Sequence, residues 1–142
     1  MNLSEKNLRE KKFHNQLQSK NKGRFENIFY KALHNAHEDF LKDLEISSKN
    51  SIVLDYGCGV GSSIERTLKF NPKKIVGIDI SEVSIRKAQS LVDSLSANNV
   101  QLKVDNCEET GFQDKEFDLV YGTGILHHLQ IEKCIREISR IL

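Results

Sequence analysis

The segment Ile52-Val53-Leu54-Asp55-Tyr56-Gly57-Cys58-Gly59-Val60-Gly61 constrains this chain most, because an apolar run closes on an acid and then on glycine at every second position. A short apolar run bounded by glycine is the pattern of a strand buried on both faces, as in a parallel sheet. Glycines at 57, 59 and 61 let the backbone turn tightly and pass close to a ligand with no Cβ between them. Ser62, Ser63 and Glu65 then open a helix whose first amides point back toward whatever the loop holds.

The acid narrows the choice of ligand. Dinucleotide-binding turns space their glycines G-x-G-x-x-G and cradle a pyrophosphate, which a carboxylate at the strand tip would repel. Here the third glycine comes one position early, at Gly61, and Ser62 stands where that fingerprint takes Gly or Ala. Asp55 therefore favours a cationic ligand and disfavours a nicotinamide dinucleotide. A second apolar run, Ile75-Val76-Gly77-Ile78-Asp79-Ile80-Ser81, also ends in an acid, and 79 minus 61 places Asp79 18 residues past the last glycine. That is where mononucleotide-binding α/β units carry the carboxylate that accepts hydrogen bonds from the ribose hydroxyls.

Asp55 to Gly61 resembles the first motif of the class I S-adenosylmethionine-dependent methyltransferases, and Gly77-Ile78-Asp79-Ile80-Ser81 resembles their second. Val104-Asp105-Asn106-Cys107-Glu108-Glu109 is similar to the third. Phe117-Asp118-Leu119-Val120-Tyr121 with Leu126-His127-His128-Leu129 is similar to the fourth strand and the segment after it. The resemblance covers about residues 50–142 and implies transfer of a methyl group from S-adenosylmethionine to an acceptor, with S-adenosylhomocysteine as product. It implies that Asp55 holds the methionine ammonium directly or through water, beside the backbone of Gly57, Cys58 and Gly59, with Gly61 completing the loop. Asp79 would take both ribose hydroxyls, Ile80 would pack on the adenine, and Asp105 would accept from the adenine amino group beside the backbone of Asn106 and Cys107. Gly122, in the small loop Gly122-Thr123-Gly124, leaves room for the acceptor or for the methionine end of the cofactor. His128 and His127 are the candidate general bases, needed only if the acceptor carries a proton that must leave, and the same pair also reads as pocket lining.

A length of 142 residues suits one domain. The net charge of +1 exerts no global pull toward nucleic acid or acidic membranes, so a small-molecule acceptor is expected rather than a nucleic acid. No apolar run approaches membrane-spanning length and Met1-Asn2-Leu3-Ser4-Glu5-Lys6 lacks the apolar core of a secretion signal, which makes the cytoplasm the expected location. Cys58, Cys107 and Cys134 are an odd number without C-x-x-C spacing and read as free thiols, Cys58 as a small loop residue rather than a nucleophile. His34, His37 and Glu38 share a helical face but lack a third matched ligand, so they read as solvent-exposed and no metal is expected.

Residues 1–49 read as an N-terminal helical arm and 50–142 as the cofactor-binding core. Up to residue 24 the arm carries Lys6, Arg9, Lys11, Lys12, Lys20, Lys22 and Arg24 against Glu5 and Glu10, which suits a solvated helical segment or a lid over the ligand. Phe25, Ile28, Phe29, Ala32, Leu33, Ala36, Phe40, Leu41 and Leu44 then share one helical face. The resemblance makes Phe25, Phe29 and Tyr30 candidate walls of the acceptor site.

After the polar link Ser47-Ser48-Lys49-Asn50, strands are expected at Ser51–Asp55, Lys74–Asp79, Val100–Val104 and Phe117–Tyr121. Helices alternate with them from Ser62 to about Phe70, from a Ser81 cap to a stop at Asn98-Asn99, and from Ile131 to Ile141. The alternation predicts an α/β, Rossmann-like three-layer sandwich with a mainly parallel sheet in the order 3-2-1-4, preceded by N-terminal helices, and a ligand at the carboxyl ends beside strand one. The family pattern goes on to further strands after a segment like Ile135 to Leu142. Their absence here leaves strand four as an edge that a dimer, a partner or further chain would cover. The alternative to an active enzyme is thus a non-catalytic cofactor-binding scaffold that needs such completion.

Overall fold

In the computed structural model, residues 5, 7–9, 11, 12, 15 and 34–142 are described. Among the arm residues, Glu5, Asn7, Leu8, Arg9, Lys11, Lys12 and Asn15 are helical, while Phe25, Phe29 and Tyr30 lie outside the described residues. The core begins with α1 (His34–Ser48) and continues β1 (Ile52–Tyr56), α2 (Ser62–Leu68), β2 (Lys74–Asp79), α3 (Glu82–Ser94), β3 (Val100–Val104), β4 (Leu119–Tyr121), a 3₁₀ turn (Leu126–His128) and α4 (Ile131–Ile141).

The four strands form a parallel sheet in the order β3-β2-β1-β4. Period-two alternation sends successive side chains of β1 to opposite faces. Leu54 and Tyr56 pack with Val76, Ile78 and Phe117 against Cys134 and Ile141 of α4. On the other face Ile75 packs with Ile64 of α2 and Val92 of α3, and Val53 packs with Leu44 of α1 and with Tyr121. Helices therefore cover both faces in three layers. Leu54, Ile64, Ile75 and Ile78 are fully buried, each contributing about 1.5–3 kcal/mol of hydrophobic stabilisation.

Register brings the acids to one end of the sheet. Asp55 stands opposite Gly77 on β2 and Tyr121 on β4, and Asp79 stands opposite Val104 at the end of β3. Gly77 is small because of the layer above it: a Cβ there would lie 2.7 Å from Ile64 Cδ1 and 2.8 Å from Leu102 Cδ2.

Several boundaries differ from the sequence reading. Ser47 and Ser48 continue α1 instead of linking it, with Ser48 buried and its hydroxyl donating to the Leu44 carbonyl. Helix α3 ends at Ser94 and is followed by Ser96 with a left-handed φ of 52°, before Asn98-Asn99 is reached. Strand β4 starts at Leu119, two residues late, because the Phe117 amide donates to the Ile141 carbonyl at the end of α4 (3.0 Å). Among the described residues β4 pairs only with β1, and no helix is long and apolar enough to cross a membrane.

Replacing Gly77 by Val should overpack the junction of α2 with β2 and β3 and lower stability by about 1–3 kcal/mol. The urea midpoint measures this; an unchanged midpoint would mean that α2 rests farther from the sheet than its packing indicates.

Candidate functional site

The carboxyl ends of the strands and the loops after them surround a cavity. Gly57 and Gly59 line it from the first loop, Asp79 and Ile80 from the end of β2, and Asn106 and Cys107 from the loop after β3. Thr123, Gly124, Ile125, His128 and Leu129 close the β4 side, Ser84 comes from α3, and Asn7 enters from the arm. No lysine or arginine is among these described lining residues, whose acidic member is Asp79.

Backbone conformation accounts for the glycine spacing. Gly57, Gly59 and Gly61 have φ of 78°, 56° and 88°, a region that costs other residues about 1–2 kcal/mol. The turn is pinned to β2, since the Gly57 and Cys58 amides both donate to the Ile78 carbonyl, at 3.0 and 2.8 Å. Asp79 completes the tie by accepting from the Gly59 amide at Oδ2 (2.9 Å) and from the Ser81 amide at Oδ1 (2.8 Å). A Cβ on Gly57 would lie 2.7 Å from Ile125 Cγ1, whereas one on Gly59 would meet nothing within 4 Å.

Other residues singled out from the sequence lie behind the cavity. Asp55 is 1% exposed and shares the sheet face of Val53. Its carboxyl lies near the Tyr121 hydroxyl, and Oδ2 has no hydrogen-bond partner among the described residues. Burial raises its pKa to about 7, with the Tyr121 hydroxyl opposing the rise and the nearby Asp79 charge adding to it. Asp105 is turned onto its own loop, accepting from the Asn106 amide (2.8 Å) and pairing with the Lys103 ammonium (2.7 Å).

Cys58 packs in the core with Ile64, Ile75 and Val92, and burial pushes its thiol far up, out of nucleophilic range. Gly61 starts α2, and Gly122 lies so close to the Tyr56 carbonyl that a Cβ would come within 2.6 Å of it. The His127 and His128 rings lie with centroids 3.8 Å apart and planes tilted by 45°; His128 lines the cavity and His127 is exposed. His37 lies 3.2 Å from the Arg66 guanidinium and stacks on Phe40.

The arm residues were missed by the motif reading. Asn7, Lys11 and Asn15 recur every fourth position, one helical face, and that spacing was the available signal. Asn7 donates to Asn106 Oδ1 (3.3 Å) and Glu108 Oε2 (3.4 Å), Lys11 pairs with Glu82 (2.7 Å), and Asn15 Oδ1 accepts from the Ser81 hydroxyl and the Val83 amide. Glu108 in turn accepts from the Gln130 amide (2.8 Å), so one carboxylate joins the arm to the segment after β4.

Comparison with known proteins adds to this geometry. A family profile described as a methyltransferase domain matches residues 53–142. A tRNA U34 carboxymethyltransferase of Nautilia profundicola is 32% identical over 83 residues, 58% of this chain and 27% of that protein. A sterol 24-C-methyltransferase of Neurospora crassa is 32% identical over 117 residues, 80% of this chain and 30% of that protein. The crystal structure of a SAM-dependent methyltransferase from Aquifex aeolicus superposes with a TM-score of 0.66 at 24% identity, over 73% of this chain and 56% of the other. The chain thus spans under a third of the length of these two curated relatives.

Asp55 gives the site a measurable signature. The native protein retains its proton up to about pH 7, whereas the unfolded chain, near 3.8, has released it. Unfolding therefore releases a proton in this window, and stability should fall as pH rises from about 4 to about 7 and stay lowered above, by about 2–4 kcal/mol. Asp55→Asn should melt higher than the native chain at pH 8 and match it at pH 4.5; an equal difference at both pH values would contradict the buried, proton-holding carboxyl.

Proposed function

We propose that this chain, which belongs to the class I S-adenosylmethionine-dependent methyltransferase family, binds S-adenosylmethionine in the cavity at the carboxyl ends of its strands and passes the methyl group to a small-molecule acceptor. S-adenosylmethionine is the cofactor of this family. The observation that carries the reading is a cavity whose acidic lining residue is Asp79, with Asp55 behind it and no lysine or arginine among the described lining residues. Such a site suits a nucleoside with a positive charge and opposes a pyrophosphate. The open space at Gly59 and the orphaned buried oxygen of Asp55 also fit a ligand that is cationic and passes close to the first loop.

Each role follows from position. Asp79, which accepts from the Gly59 and Ser81 amides, is the carboxylate at the end of β2 that would accept from the ribose hydroxyls. Ile80 offers an apolar face to the adenine, and Asn106 and Cys107 border its edge on a loop that Asp105 holds from beneath. The Gly57–Gly59 backbone borders the methionine end. The bound cofactor supplies an activated methyl group, so the protein's main tasks are alignment and exclusion of water. The described arm residues Asn7, Lys11 and Asn15 act as a cover over the connections after β2 and β3, and His128 accepts a proton where the acceptor must lose one.

A second reading, a cofactor-binding module completed by further chain or a partner along β4, draws support from exposed Leu126, Ile131, Ile135 and Leu142 near that edge strand. Relatives named for tRNA and for sterol leave both acceptor classes open to assay. The near-neutral charge favours the small molecule.

Titration calorimetry with S-adenosylhomocysteine and with NAD tests the cofactor reading, which expects binding of the first alone; the reverse order would overturn it. Gly59→Val should lose at least about tenfold in affinity while remaining folded, because the new side chain strains a φ of 56° and enters open space rather than packed protein. His128→Ala should keep cofactor affinity within about threefold and lower turnover about 10² to 10⁴-fold if the histidine is the base. Undiminished turnover would leave it a lining residue.

A further inference from the structure

Glu108 stands where three parts of the cavity wall meet. It is 7% exposed, and among the described residues both of its carboxylate oxygens accept from neutral N–H groups: Oε1 from the Gln130 amide (2.8 Å) and Oε2 from the Asn7 carboxamide (3.4 Å). Asn7 also donates to Asn106 Oδ1 (3.3 Å), which accepts from the Glu108 amide as well (3.0 Å). These neighbours belong to the wall or adjoin it. Asn7 lines the cavity from the arm, Asn106 and Cys107 line it from the loop after β3, and His128 and Leu129 line it just before Gln130.

Two donors on one buried carboxylate do not act independently. Fixing a glutamate side chain costs rotamer freedom, and that cost falls once, on whichever donor binds first. The second donor then finds an acceptor already aimed. A buried carboxylate that loses one of its donors keeps an oxygen with no replacement for the water it gave up, so breaking either bond costs more than that bond's own share. The seat of the arm and the seat of the segment after β4 are thereby joined through one side chain, across sequence separations of 101 and 22 residues.

We propose that Glu108 is a positioning residue that couples the arm to the segment after β4, so that docking of Asn7 and placement of His128 and Leu129 are parts of one closure of the cavity. The cofactor reading, on which this step rests, gives the coupling its use. The walls at Asn7 and Asn106 border the adenine, the wall at His128 receives the acceptor, and methyl transfer requires the two held at a fixed separation. Glu108 acts through Asn7 and Gln130.

Gln130→Pro isolates the link. Gln130 has φ of −79° and Leu129 before it has ψ of 163°, values that a proline and its predecessor adopt without strain. The Gln130 side chain makes no capping hydrogen bond, and its carbonyl would still accept from the Cys134 amide (3.0 Å). The substitution thus removes the one N–H that Glu108 Oε1 accepts, and Gln130→Ala, which keeps that N–H, is its control.

Hydrogen exchange in the ligand-free protein is the first readout. Gln130→Pro should speed exchange of the arm amides at Arg9, Lys11 and Lys12 by at least about threefold, Gln130→Ala should not, and Asn7→Ala should in return speed exchange of the Gln130 amide. Calorimetry with S-adenosylhomocysteine is the second. Asn7→Ala and Gln130→Pro should each weaken binding about three- to tenfold, and the double variant should fall short of the product of the two losses by at least about threefold. In a Glu108→Ala background the two losses should simply multiply. Unaltered arm exchange in Gln130→Pro, or losses that multiply in the native background too, would overturn the coupling with the cofactor assignment intact. Coupled exchange in a chain that does not bind S-adenosylhomocysteine would instead support the link through Glu108 and overturn the cofactor assignment.

Discussion

A single carboxylate organises the functional end of this sheet. Asp79 ends β2 and binds the amide of Gly59 from the first loop and that of Ser81 from the start of α3, while its backbone carbonyl accepts from Asp105 at the end of β3. Three connections that leave three different strands are thereby fixed to one residue. Charge-assisted bonds from backbone amides to a carboxylate are among the stronger hydrogen bonds available to a protein. The same residue lines the cavity, so the group best placed to meet a ligand is also the one that shapes the loops around it. Precision at such a site comes from rigid supports, and here the supports are peptide groups rather than flexible side chains.

The arm extends the same network from outside. Ser81 caps α3 by accepting from the Ser84 amide and gives its own proton to Asn15, while Lys11 pairs with Glu82 in the first turn. Four residues farther toward the N-terminus, Asn7 reaches Asn106 and Glu108. One helical face thus touches the connections after β2 and β3. These contacts are polar and the Lys11–Glu82 pair is largely exposed, so each adds little alone and their joint geometry matters more than their sum.

Much of this was legible in the sequence, for reasons that differ by element. Strands β1 and β2 announce themselves because Ile52-Val53-Leu54 and Ile75-Val76 are buried on both faces and run into glycine or acid. Strand β4 was drawn too long because Phe117 is apolar and buried, and only the fold shows its amide committed to the end of α4. Motif spacing brought Gly57, Gly59, Asp79, Ile80, Asn106, Cys107 and His128 to one cavity, but it could not give side-chain direction. The period-two rule could have done so for Asp55, which must share a face with Val53 and lie against α1 and α2 rather than toward the loops. For Asn7 the sequence offers only its spacing with Lys11 and Asn15, which names no partner, since its partners stand 99 and 101 residues away.

The first loop also shows why glycine spacing, and not glycine content, decides what such a turn can hold. A pyrophosphate is bound by amides that point outward with nothing to bond. Here the Gly57 and Cys58 amides are taken by the Ile78 carbonyl, the Gly59 amide by Asp79 and the Gly61 amide by the Cys58 carbonyl. The loop therefore offers a close, Cβ-free surface with its donors largely spent, and among the described residues the acids Asp79 and Asp55 stand beside and behind it. A phosphate would face the Asp79 carboxylate with few loop donors to compensate, whereas a ligand that brings its own hydroxyl and ammonium donors needs none from the loop.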